Sequence, residues 1–114
     1  MLKEIKSEIY HLLHPKMAFF LTSIAKDGNP NVMACAWATP VSEEPLIIIV
    51  CVEKSAYTAE LIKETREFVI NIPTKNLVKA LLICGKTSGR NSDKFKKAGL
   101  KYSSGPKMVY FNTA

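Results

Sequence analysis

A cation and three hydroxyls stand together in Lys54-Ser55-Ala56-Tyr57-Thr58, directly before a stretch with helical spacing. A helix start carries free N–H groups and the positive end of the helix dipole, so this composition suits a phosphate. A plain cap by Ser55 or Thr58 explains the same residues. A second anion-suited stretch runs from Gly85 to Phe95. It holds Lys86, Ser88, Gly89, Arg90 and Lys94, and a solvated loop has the same make-up. The third stretch is Asn31-Val32-Met33-Ala34-Cys35-Ala36-Trp37, which is rich in small residues for a strand. Small side chains let a flat ligand approach backbone N–H and C=O groups. Close packing of a helix on the strand accounts for them equally well.

None of these stretches contains a catalytic constellation. The chain has no G-x-S-x-G, H-E-x-x-H, phosphate-binding P-loop or G-x-G-x-x-G. Its cysteines, Cys35, Cys51 and Cys84, form no C-x-x-C pair, and His11 and His14 lie far from all three. Odd in number and set in apolar stretches, they read as small buried hydrophobes, not a disulfide framework or zinc site. Metal ligation is therefore not expected. Any enzymatic chemistry would have to come from a bound cofactor.

Composition bounds the rest. A chain of 114 residues, 47% hydrophobic and 23% charged, fits one globular domain over residues 1–114. The net charge is +6, but the later lysines (Lys75, Lys79, Lys86, Lys94, Lys96, Lys97, Lys101, Lys107) are scattered. They lack the interleaved aromatics of a nucleic-acid surface, so a small anionic ligand is the more natural partner and no nucleic acid is expected. The longest apolar run, Leu46 to Val52, is too short to cross a bilayer, so no membrane partner is expected. The first residues mix acidic and basic side chains and do not read as a signal peptide, which makes a cytoplasmic location the default.

The elements that would position these residues follow from periodicity. Leu2, Ile5, Ile9, Leu12 and Leu13 predict an amphipathic helix that stops near His14-Pro15. Met17 to Ala25 and Asn31 to Trp37 predict strands joined through Asp27-Gly28. Thr39 to Pro45 reads as a loop, and Leu46 to Val52, which lacks polar alternation, as a strand buried on both faces. A helix through Leu61 and Ile62 and a strand from Glu67 to Ile72 follow. Next comes a helix capped by Thr74 and ended by Gly85, then a turn opened by Asp93. Lys107 to Phe111 suggests a last strand. The pattern is α+β, with a partly antiparallel sheet.

Taken in order, the chain reads Asp27-Gly28-Asn29-Pro30-Asn31-Val32-Met33, Trp37, Thr39-Pro40-Val41-Ser42, Tyr57-Thr58, Glu67-Phe68-Val69-Ile70-Asn71-Ile72-Pro73, Cys84-Gly85, Ser88-Gly89-Arg90 and Asp93-Lys94-Phe95. This ordered set resembles the flavin reductase-like family, flavoredoxins included, from about His14 to about Leu100. The resemblance implies a mostly antiparallel split β-barrel with short peripheral helices, incomplete here at the C-terminus. It implies a homodimer with non-covalent FMN near its interface. Asn31, Val32, Met33, Ala34, Cys35, Ala36, Trp37 and Ala38 would line the flavin ring. Lys54, Ser55, Tyr57 and Thr58 would hold the phosphate end, and Ser88, Arg90 and Lys94 would lie near the flavin or reach it across the dimer. The implied activity is electron transfer from NAD(P)H or a redox protein through FMN. The alternatives are a non-catalytic FMN-binding electron carrier, or a degenerate split barrel without flavin.

Overall fold

The computed structural model describes residues 8–103. Strands β1 (Phe19–Ile24) and β2 (Pro30–Cys35) form the expected hairpin, in register from Phe19 opposite Cys35 to Ile24 opposite Pro30. Gly28 takes a φ of 91°, open to glycine without strain, and its N–H donates to the Ala25 carbonyl at 2.9 Å. β5 (Val69–Asn71) pairs antiparallel with the other side of β1, giving the order β2-β1-β5.

Strand side chains alternate between faces, and β1 divides the core accordingly. Phe20, with Val32 from β2, packs against Ala80 and Cys84 of α2 (Val78–Lys86) and Phe95 of α3 (Lys94–Ala98). Phe19, Leu21 and Cys35 point the other way, towards Val50, Val52, Ile62 and Phe68. Leu21 is fully buried. Burial of such a side chain contributes ~1.5–3 kcal/mol. On this second face lies α1 (Tyr57–Thr65), with Ala59 and Leu61 buried.

The antiparallel α+β reading holds, but several details change. Thr39 to Pro45 is not a loop. β3 (Ala38–Glu43) runs through it and pairs with β4 (Leu46–Val50) as a separate two-stranded sheet. A register shift between Pro40 and Ser42 lets the chain carry a proline, which has no N–H for the ladder. The burial expected for β4 is also overturned. Leu46 is 66% exposed and Ile47, Ile48 and Ile49 are 42–49% exposed, because β4 has only β3 beside it. Cys51 is exposed, whereas Cys35 and Cys84 are buried as expected, and all three are free thiols.

Ser55 and Thr58 do not cap α1. The cap position is Ala56, without a side-chain bond. Thr74 precedes a 3-10 turn at Lys75–Leu77 without a side-chain cap, and α2 continues past Gly85 to Lys86. Asp93 does cap α3, accepting from the Lys96 N–H at 3.1 Å, and Gly99 ends that helix with a φ of 66°. Where an N-terminal helix was expected, the described residues form a 3-10 turn, Ile9–Leu13, and the expected last strand at Lys107 to Phe111 lies outside the described residues. Among the described residues no helix is long and apolar enough to cross a membrane.

Candidate functional site

β2 gives the small-residue stretch two jobs. A side chain added at Gly85 of α2 would stand 3.4 Å from the Ala34 Cβ, so Ala34 and Gly85 together let the helix lie close on the strand. That accounts for the small residue at Ala34. After Cys35 the strand breaks. Ala36 and Trp37 lie between β2 and β3, with Trp37 49% exposed. The Trp37 carbonyl accepts from the Cys51 N–H at 2.8 Å, which ties this break to the chain leaving β4. The Cys35 thiol lies 4.0 Å from the Cys51 carbonyl oxygen, and burial pushes its pKa up. Ala38 starts β3, and Met33 packs at the margin of the second core cluster.

Asn31 is buried at the start of the stretch. Its Nδ2 donates to Ser23 Oγ at 3.1 Å and to Thr58 Oγ1 at 2.9 Å. These bonds join β1, β2 and α1 at one point. Thr58, buried in the first turn of α1, is thereby a positioning residue for the helix start.

The start of α1 is an anion-suited place among the described residues. No side chain caps it. Lys54 and Ser55 are exposed beside it, and the Ser55 hydroxyl donates to Glu53 Oε1 at 2.9 Å. An uncapped helix start with an ammonium and a hydroxyl fits the donors a phosphate needs.

The loop after α2 is fastened to this helix. Arg90 donates from both terminal nitrogens to Glu60, at 2.6 and 3.0 Å, and its guanidinium lies 5.2 Å from the centre of the Tyr57 ring. The Arg90 bonds hold the Glu60 carboxyl below the usual carboxylate range. Ser88 Oγ accepts from the Arg90 backbone N–H at 3.2 Å. Sequence reasoning missed Glu60, although it stands three residues after Tyr57, on the same helix face. Gly89 serves packing as well as loop flexibility. A Cβ there would collide with Asn31 Oδ1 and stand 3.2 Å from Tyr57 Cδ1. Asn31 cannot swing away without losing buried bonds, so Gly89→Ala is expected to destabilise the fold by about 1–2 kcal/mol, measured as a urea midpoint shift.

Lys94 faces inward. It is 7% exposed and its Nζ donates to the Cys84 carbonyl at 3.0 Å, meeting a free carbonyl near the end of α2. Burial pushes the Lys94 pKa down. The unfolded chain then binds more protons than the folded one between the lowered value and the ordinary lysine value. Through that window Lys94 makes stability rise with pH. Lys94→Met is expected to remove this rise, seen by comparing urea midpoints of the two proteins as pH is raised from neutral to the ordinary lysine value.

Comparison with known proteins gives the family and the fold. The flavin reductase like domain family matches residues 11–112. An uncharacterized protein of Archaeoglobus fulgidus is 34% identical over 84% of this chain and 55% of its own length. The uncharacterized protein YddH of Escherichia coli is 35% identical over 90% of this chain and 56% of its own. Flavoredoxin of Desulfovibrio vulgaris superposes with a TM-score of 0.77 at 35% identity, over 89% of this chain and 54% of that one. An FMN-binding domain of a flavin reductases-like enzyme from Shewanella baltica gives 0.71 at 26% identity, over 83% and 51%. The chain spans about half the length of these relatives.

Proposed function

Because the chain belongs to the flavin reductase-like family, we propose that it holds FMN non-covalently and passes electrons through it. The observation that carries this reading is the uncapped start of α1, with Lys54 and Ser55 exposed beside it. The phosphate end sits there, with Tyr57 and Thr58 in the same first turn. Thr58 acts by holding the helix start against Asn31. Residues 31–38 line the ring, with backbone groups around the Ala36-Trp37 break as its hydrogen-bonding edge. Ser88 and Arg90 keep the neighbouring loop in place, and Lys94 supports it from below through Cys84. When bound, FMN supplies hydride and single-electron chemistry. The protein side chains bind, orient and exclude water, and no acid or base among them is required.

The finer architecture is part of the same proposal. β3 and β4 belong to a split β-barrel that these residues do not close, and a second copy of the chain covers the exposed Leu46, Ile47, Ile48 and Ile49. The electron donor is NAD(P)H or a redox protein. The likeness to a flavoredoxin favours a second reading, an FMN-binding electron carrier without turnover of its own. The test is to add FMN, pass the protein through gel filtration and record visible absorption. Flavin bands that travel with the protein support the proposal, and a colourless protein peak overturns it. Bleaching of retained flavin by NADH or NADPH then separates the reductase from the carrier.

A further inference from the structure

Charge is unevenly divided along the chain. Residues 75–101 carry eight Lys or Arg against one acidic residue, Asp93, whereas residues 1–74 carry seven against nine. Asp93 caps α3, Lys94 is buried and Arg90 is bound to Glu60. Scattered in sequence, three of the other lysines are gathered by the fold. Val78, Lys79, Leu82 and Lys86 recur at i, i+1, i+4 and i+8 along α2, so they share the side opposite the buried Ala80 and Cys84. All four are exposed, Val78 at 51% and Leu82 at 57%. Lys75 is exposed in the turn just before them. Among the described residues no carboxylate pairs with Lys75, Lys79 or Lys86.

Two neighbouring apolar side chains edged by unpaired ammonium groups have the make-up of a protein-docking patch, and the charge selects an acidic partner. Two apolar side chains on a nine-residue helix offer little to bury in a lipid surface. The helix carries no aromatic on which a nucleic-acid base could stack. On its inner side α2 meets β2 where Gly85 lies against Ala34, within the stretch assigned to the flavin ring. A partner on the outer side therefore stands about one helix diameter, 10–12 Å, from that stretch. We infer that the outer side of α2 docks a small acidic electron-carrier protein. The partner's redox character rests on the flavin reading; the acidic docking surface does not.

The experiment titrates the full chain with an acidic plant-type ferredoxin by calorimetry, with and without FMN. Saturable binding at low salt that weakens as salt rises is expected. Lys79→Glu combined with Lys86→Glu is expected to weaken it about tenfold or more, and Leu82→Ser about fivefold. None of these three residues belongs to a core cluster, so the variants keep the fold. Lys26→Glu, at the hairpin turn beside α1, is expected to change binding by less than about twofold. Where FMN is retained, reduced ferredoxin is expected to reduce it, two ferredoxins each giving one electron and water supplying two protons. The double substitution is expected to slow that transfer in parallel with binding. Binding to a chain that retains no FMN leaves the acidic docking surface standing and removes only the flavin reading and the partner's redox character. Undetectable ferredoxin binding at low salt, or binding unchanged by the double substitution, would overturn the inference. Tighter binding of duplex DNA or of phosphatidylserine vesicles at the same ionic strength would also overturn it.

Discussion

Asn31→Ala is expected to destabilise the protein by about 2–4 kcal/mol, with a large drop in FMN retention. Asn31 is buried, and its amide bridges Ser23 of β1 and Thr58 of α1. Truncation removes both bonds and leaves two hydroxyls without their donor in a buried setting. The cost follows from desolvation of those groups, not from the modest net value of a hydrogen bond. The functional loss follows from geometry. Thr58 sits in the first turn of α1, so releasing it lets the phosphate-suited helix start move. Urea unfolding measures the first effect. Equilibrium dialysis of FMN at a temperature where the variant is folded measures the second. An unchanged urea midpoint would show that the bridge is not what ties the helix to the sheet.

Lys54→Glu is expected to leave the fold intact and lower FMN affinity by roughly thirtyfold, about 2 kcal/mol. Lys54 is exposed and precedes α1, so neither core cluster includes it. Reversal places a carboxylate beside Glu53, where the phosphate would bind, and sets two negative charges against a third. The screened surface setting limits the stability effect. Dialysis in low and high salt checks the origin of the loss, because an electrostatic defect shrinks as salt rises.

Local chemistry made part of this molecule legible. Asp27-Gly28 between two apolar runs identified the hairpin, because few dipeptides supply that backbone geometry. Asp93 marked the start of α3 for the same kind of reason. Strand β3 was hidden because Pro40 and the charged residues of Thr39 to Pro45 read as a loop, and only a register shift makes the pairing possible. β4 was read as buried because an apolar run states a need for cover without saying what provides it. At the site, residue types near α1 and the later loop stood out, but their pairings did not. Asn31 and Thr58 are 27 residues apart, and Arg90 and Glu60 are 30 apart, so no local period joins them. The role of Gly89 was equally hidden, since its constraint comes from the side chain of Asn31 on β2.

The proposed flavin site turns on a phosphate held at the start of α1. Riboflavin carries the same ring as FMN without that group. Equilibrium dialysis of the protein against both ligands isolates the contribution of the phosphate. FMN is expected to bind about thirtyfold more tightly or better, and Lys54→Glu is expected to erase most of the difference. Equal affinity for FMN and riboflavin would contradict the account, because it would mean that the helix start and Lys54 do not read the phosphate.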